Sequence, residues 1–246
     1  MKTISSRQNP WFKRLRDAVH DHAGEIVIEG PKQVADAIGG GWRAIAVIER
    51  GGEAEHPPEN VSGTAHLSLS AELFDAVAET RATQGVMALF ERPQFTLDMI
   101  LRQRESIVVA LDGVQDPGNV GSIVRLAAAF DAAGVALLPA CADAFGPKAI
   151  RASAGAILTV PVVNVTAHDL IAARIPLFAA QQTANAAAVP SKNAIIVFGS
   201  EGSGVSSEIA QSATSIAVPM SSRVESLNVA TAAAILLWRS FEARSR

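Results

Sequence analysis

From residue 107 onward the chain repeats one pattern: a short, continuous apolar run followed by a stretch suited to a helix. The runs fall at 107–111, 135–138, 160–163, 177–180, 194–198 and 215–218. Apolar residues at every position, rather than at alternate ones, suit strands covered on both faces. Parallel strands are of that kind, because their crossover helices lie on the sheet. The alternation therefore predicts an open parallel α/β sheet, with ligands bound beyond the carboxyl ends of its strands. Three polar loops fall at those ends.

Upstream the pattern is finer. Helices are expected over 10–20, 32–38 and 71–79, and strands over 25–28, 44–48, 66–69 and 85–90, with a surface loop at 51–58. From Glu91 to Arg104 the composition turns polar and charged, with a helical turn expected over 97–102. The predicted organisation is a first domain over 1–92, a linker over 93–105 and a second domain over 106–246.

Composition removes several classes. In 246 residues, 49% of them hydrophobic, no apolar run approaches the ~18 residues needed to span a bilayer. The first ten residues contain no hydrophobic segment of the signal-peptide kind. A soluble, cytoplasmic protein is expected. The single Cys141 cannot close an intramolecular disulfide and reads as a packing residue. Five scattered His give no metal-ligand spacing, so no metal is expected. The net charge of −3 argues against a chain that is basic throughout. Yet residues 1–16 hold Lys2, Arg7, Lys13, Arg14 and Arg16 and no acid, with Trp11 and Phe12 among them. That run is either a solvated basic helix anchored by two aromatics or a phosphate-contacting patch with stacking groups.

The first loop, Asp112 to Gly121, leads into a helix carrying Arg125, four residues after Gly121 and on the same helical face. A small residue one turn before an arginine leaves the guanidinium room to reach a ligand. The loop fits neither a dinucleotide G-x-G-x-x-G nor a Walker A pattern. The second loop, Gly199 to Val205, sets one carboxylate, Glu201, among three glycines. A lone Glu beside a buried strand needs donors, and Arg125 is the expected partner. The third loop runs from Val218 to Asn228 and ends at a long Ala-rich helix. Ser226 suits an N-cap, whereas Asn228 suits that role less well.

Together these segments resemble the SpoU/TrmH family of S-adenosyl-methionine-dependent RNA ribose 2′-O-methyltransferases. The matching residues are Asn119-x-Gly121-x-x-x-Arg125, Phe198-Gly199-x-Glu201-Gly202-x-Gly204, and Val218-Pro219-Met220 with Ser226-Leu227-Asn228-Val229. Arg151-Ala152-Ser153-Ala154-Gly155 is also similar to the family. The first domain is more weakly similar to the family's small α/β substrate-binding domain, through residues 4–10, Lys13 and Glu29-Gly30-Pro31.

The resemblance implies a knotted parallel-sheet methyltransferase domain behind a small α/β substrate-binding domain. It implies S-adenosyl-methionine as cofactor, surrounded by Gly199, Val218 and Leu227, with Phe198, Glu201, Gly202, Met220 and Ser226 nearby. The resemblance assigns Arg125 to proton abstraction, assisted by RNA phosphate. A guanidinium that stays protonated suits a phosphate and alkoxide clamp better than a base, with the proton leaving through a neighbouring group or water. Asn119, Glu201, Ser226 and Asn228 are expected to shape the site and hold Arg125. Arg7, Lys13, Arg14, Arg16 and Arg125 are the expected RNA contacts. The implied partners are a structured RNA, ribosomal in preference to transfer RNA, and a second copy of the chain meeting it through the last helix.

Two rival readings compete with this one. A nicotinamide-type enzyme needs a glycine phosphate loop after the first strand and an acid about twenty residues on, and the chain offers Asp131 without the glycines. A non-catalytic RNA-binding member of the same fold is disfavoured by the intact Asn119, Arg125, Glu201, Ser226 and Asn228.

Overall fold

A computed structural model describes residues 3–22, 24–51, 63–78, 80, 83–103, 107–182 and 189–244. The expected loop at 52–58, the helix end at residue 79 and the linker end at 104–105 lie outside them. The chain divides into two compact units, Met1–Pro93 and Gln94–Arg246.

The first unit runs β1 (Thr3–Ile4), α1 (Pro10–His20), β2 (Glu25–Glu29), α2 (Pro31–Gly39), β3 (Ala44–Arg50), β4 (Ala65–Leu69), α3 (Ala71–Asp75) and β5 (Val86–Glu91). Its mixed sheet has the order β1-β4-β3-β5-β2, with β5 antiparallel to both β2 and β3. Helix α1 begins at Pro10, and the Asn9 side chain accepts the Trp11 amide as its cap. Phe12, Leu15 and Ala18 recur every three residues and are buried against the sheet. Phe12 is thus a core residue and not a stacking group. The strand Thr3–Ile4 has no counterpart in the sequence reading, because two residues carry no period.

The second unit runs α4 (Leu97–Leu101), β6 (Ile107–Asp112), α5 (Pro117–Ala129), β7 (Gly134–Leu137), α6 (Pro147–Ser153), a 3-10 turn (Ala156–Leu158), β8 (Val162–Asn164), α7 (Ala167–Ala172), β9 (Leu177–Ala180), β10 (Ala194–Gly199), α8 (Ser207–Ser212), β11 (Thr214–Ile216) and α9 (Val229–Arg244). Its six strands stand in the order β11-β9-β10-β6-β7-β8, and every pairing is parallel. The described residues 94–103 of the expected linker belong to this unit: Ile100 of α4 is buried beside Gly134, where a Cβ would stand 2.9 Å from its Cδ1. Strand β8 starts later than the apolar run at 160–163, because the preceding residues close the 3-10 turn.

Helices α5 and α9 lie side by side and point the same way, since both pairs of ends are tied. At the amino ends Asn228 Nδ2 donates to Asn119 Oδ1 at 3.1 Å. At the carboxyl ends the Arg244 guanidinium donates to the carbonyls of Phe130 and Asp131 at 3.1 and 3.2 Å. Along its length α9 buries Val229, Ala233, Leu236, Leu237 and Ser240, one stripe of a helix. The buried Ser240 is satisfied by donating to the Pro190 carbonyl at 2.5 Å.

Gly121 explains how α5 meets α6. A Cβ there would lie 2.2 Å from the Ala149 carbonyl oxygen and 2.8 Å from Ala152 Cβ. The glycine is required for helix-to-helix contact, not to clear space for Arg125. No helix among the described residues is long and apolar enough to cross a membrane.

Candidate active site

The loops after β6, β10 and β11 converge at the carboxyl end of the sheet. The loop after β10 folds back on itself: Ser200 N donates to the Gly204 carbonyl at 3.2 Å, and Gly204 N to the Ser200 carbonyl at 3.0 Å. Such a tight turn leaves no room beside Gly199, where a Cβ would stand 2.0 Å from the Gly204 carbonyl carbon. The Ser200 and Ser203 hydroxyls bond at 2.9 Å and brace the turn from within. Glu201 and Gly202 are left exposed at its tip.

A cavity of about 420 Å³ opens beside this turn, within the ~300–1,000 Å³ range of small-molecule sites. Phe198, Gly199, Glu201, Gly202, Val218, Met220, Ser226 and Leu227 all line it. So do Ala180, Gln181 and Gln182 at the end of β9, which belong to none of the sequence motifs. The Gln181 amide oxygen accepts from Ser215 Oγ at 3.0 Å, joining the ends of β9 and β11. Only the strand order reveals these residues, because β9 lies between β10 and β11.

Behind the turn runs a chain of side-chain amides. Asn119 Nδ2 donates to Glu201 Oε1, while Asn119 Oδ1 accepts from Asn228 Nδ2 at 3.1 Å. Asn228 Oδ1 in turn accepts the backbone amides of Ala230 and Thr231 at 2.9 and 3.3 Å. Asn228 is therefore the N-cap of α9 and a bridge to α5 at once, and the role expected of Ser226 falls to it. Ser226 lies two residues too early to reach those amides and lines the cavity instead.

The pairing of Arg125 with Glu201 is corrected. Arg125 is exposed and makes no ion pair among the described residues. Six residues separate it from Asn119, and at 3.6 residues per turn the two side chains point about 120° apart around α5. Asn119 takes the carboxylate, and the expectation that it holds Arg125 fails for the same reason. Nor does Glu201 bear a burial cost that an arginine would need to offset, because it is exposed.

The start of α5 is fixed by Asp116, whose Oδ1 accepts the Asn119 amide at 3.0 Å while Lys148 Nζ stands 2.7 Å from Oδ2. The Lys148 ammonium, then the Asn119 amide, hold the Asp116 carboxyl below the usual carboxylate range. At the end of β6, Asp112 Oδ2 accepts the Ser206 amide at 2.7 Å and ties the first loop to the second. Cys141 donates its thiol to the Leu111 carbonyl at 3.1 Å, and burial pushes its pKa up. It is a neutral packing group, not a nucleophile.

In the first unit most of the basic residues meet carboxylates. Arg14 grips Glu25 through Nε at 3.1 Å and Nη2 at 2.5 Å, and its guanidinium lies 5.3 Å from the centre of the Trp11 ring. Glu25, by hydrogen bond first, raises the pKa of Arg14. Arg7 pairs with Glu72 at 3.3 Å and Arg16 with Asp17 at 2.9 Å. Lys13 is exposed and has no such partner among the described residues.

A parallel α/β sheet with a glycine-framed cavity at the carboxyl ends of its strands, and one carboxylate held by an amide chain, is the layout of an α/β domain with a small-molecule pocket. The particular family follows from comparison with known proteins. Residues 106–238 match the SpoU rRNA Methylase family. The chain is 30% identical, over 97% of its own length and 98% of the other's, to the 23S rRNA (guanosine(2553)-2′-O)-methyltransferase RlmP of Bacillus subtilis. It is also 30% identical to an uncharacterized tRNA/rRNA methyltransferase of Synechocystis, over 97% of this chain and 93% of that one. The crystal structure of an AdoMet-bound rRNA methyltransferase from Sinorhizobium meliloti superposes with a TM-score of 0.84 at 25% identity, covering 98% of both chains. The chain belongs to the SpoU rRNA methylase family and is a methyltransferase.

Proposed function

We propose that this protein transfers a methyl group from S-adenosyl-methionine to a ribose 2′-hydroxyl of ribosomal RNA. The observation that carries the reading is the cavity with its single carboxylate. Its apolar walls, Phe198, Val218, Leu227 and Leu236, suit a purine, and its polar rim holds Glu201 where a sulfonium cation gains from a negative neighbour. Bound there, the cofactor supplies a methyl group activated by a positively charged sulfur. The chain has then to orient the hydroxyl and accept its proton. Phe198, Gly199, Gly202, Val218, Met220, Ser226 and Leu227 hold the donor. Glu201, Asn119 and Asn228 keep the two loops that frame it in register.

Arg125, exposed and unpaired among the described residues, clamps RNA phosphate and stabilises the forming alkoxide. In the first unit, read as the RNA-binding domain, Lys13 is available directly. Arg7, Arg14 and Arg16 exchange carboxylate partners for phosphate, which is inexpensive because exposed ion pairs contribute about 0–1 kcal/mol. Two copies pair through α9, where Trp238 and Phe241 are 50% and 36% exposed three residues apart on one face. The 106–246 segment is read as knotted, as the family resemblance implies, and the protein as cytoplasmic.

The decisive experiment maps ribose methylation in total RNA from cells with and without the gene. A missing mark on ribosomal RNA, restored in vitro by the protein with labelled donor, is expected. A missing mark on transfer RNA alone would overturn the choice of substrate. Arg125→Lys tests the clamp. Clamping predicts a lower rate with an unchanged pH profile, whereas a new limb at a lysine-like pH would favour direct base chemistry.

A further inference from the structure

We propose that Gln182, just beyond the carboxyl end of β9, reads the adenine edge of the methyl donor, with Gln181 as the positioning residue that holds the strand end. This rests on the methyl-transfer reading above and adds a selective side chain to it. Both glutamines line the cavity and neither belongs to the three loop motifs.

The strand order divides the cavity into a charged side and a neutral one. Strand β10 lies between β9 and β6, so the end of β9 stands two strands, about 10 Å, from the end of β6. Glu201 follows β10, and Asn119 and Arg125 follow β6. The sulfonium and the reacting hydroxyl belong on that charged side. The other side is lined from β9 and from the segment after β11 by Ala180, Gln181, Gln182 and Val218, none of them charged. Such a wall suits an uncharged nucleobase. It does not suit the donor's amino-acid tail, whose ammonium and carboxylate need charged partners.

The two glutamines are held differently. Gln181 is pinned to β11 twice: its backbone amide donates to the Ile216 carbonyl at 2.9 Å, and its side-chain oxygen accepts from Ser215 Oγ at 3.0 Å. Gln182 is exposed and its carboxamide makes no hydrogen bond among the described residues. It therefore keeps an acceptor and two donors in one plane. The adenine edge sets a 6-amino donor beside a ring-nitrogen acceptor, and a glutamine carboxamide meets that pair with two hydrogen bonds. The serine hydroxyls of the lining lack such a planar pair, and the Glu201 carboxylate lacks a donor.

Calorimetric Kd values for S-adenosyl-homocysteine and for its analogue lacking the 6-amino group test the assignment. Wild type is expected to bind the adenosyl ligand about tenfold more tightly, toward the low end for a bidentate contact because Gln182 is open to water. Gln182→Leu and Gln182→Ala should each weaken the adenosyl ligand about tenfold and leave the deamino analogue within about twofold, erasing the preference. Gln181→Leu should weaken both ligands together, by about threefold, and keep the preference. Equal wild-type affinity for the two ligands, or a preference that survives both Gln182 variants, would overturn the assignment and leave donor binding in place. So would Gln182 variants that lose both ligands alike, since an edge contact costs only the adenosyl one. A preference lost in Gln181→Leu alone would move the contact to that residue and equally overturn the assignment. Wild type that binds neither ligand would overturn the placement of the donor in this cavity, and this assignment with it.

Discussion

Helices α5 and α9 are tied at both ends, and the two ties are built from different chemistry. At the carboxyl ends Arg244 donates to the Phe130 and Asp131 carbonyls, stands 3.3 Å from the Asp131 carboxylate, and lies 5.3 Å over the Phe241 ring. A charged donor caps a helix end where carbonyls lack partners, which favours stability. At the amino ends the tie is a pair of neutral carboxamides, and it continues outward to an exposed carboxylate at the cavity. A neutral amide bond contributes less than a charged one, so the amino-end tie is the weaker of the two. It makes up for that in direction, because each amide has its donor and acceptor assigned by the next. The carboxyl end holds the helices together, and the amino end sets where Glu201 points.

That contrast breaks most sharply at Asn228. Asn228→Asp keeps a side-chain oxygen for the Ala230 and Thr231 amides and adds a negative charge that a helix amino end favours. It removes the donor to Asn119. Activity should fall about 100-fold, the scale of loss for a small misplacement in an active site, while Tm stays within about 2 °C. Steady-state kinetics beside calorimetric melting would check it. A variant that melts early and keeps its activity would show the amino tie to be structural after all.

Gly121→Ala tests whether both ties depend on the seating of α5. The new Cβ would stand 2.2 Å from the Ala149 carbonyl oxygen, so α5 and α6 must separate. Overpacking of this kind costs about 1–3 kcal/mol, and Tm should fall by about 6 °C with activity reduced in step. Unchanged melting would mean that the helices have slack. Arg244→Ala removes the other tie alone. Tm should drop by about 5 °C and the rate at a permissive temperature should stay within about twofold of wild type. Rate loss beyond that would make the carboxyl end part of the site.

The sequence exposes the frame of this site better than its wiring. The runs at 107–111, 177–180 and 194–198 read as covered strands and are strands, because doubly buried backbone requires apolar side chains at every position. The residues lining the cavity follow from the loops at the strand ends. Pairing between loops does not, because it depends on helix phase. Asn119 and Arg125 stand in one motif, yet one turns toward Glu201 and the other away. Gln181 and Gln182 are invisible in a linear reading, since only the order β11-β9-β10 brings the end of β9 to the cavity. Phe12 shows the opposite limit. Set in a basic run it looks like a stacking group, but its spacing to Leu15 and Ala18 marks it as core.

The smallest predicted effect concerns the charge beneath the amino tie. Asp116 caps α5 through the Asn119 amide, and Lys148 chiefly holds its carboxyl below the usual value. A carboxyl whose pKa is lowered by folding adds stability that is fully present above its unfolded value of about 3.9. The contribution fades as the pH falls through the lower folded value. Asp116→Asn keeps the cap, since Asn serves there as well as Asp, and deletes only the charge. Wild type should therefore melt slightly above the variant at neutral pH, and the two should converge as the pH drops below about 4. Melting curves across that range decide the matter. A gap that persists in acid would place the contribution in the cap's shape and leave the Lys148 ion pair without a part in seating Asn119.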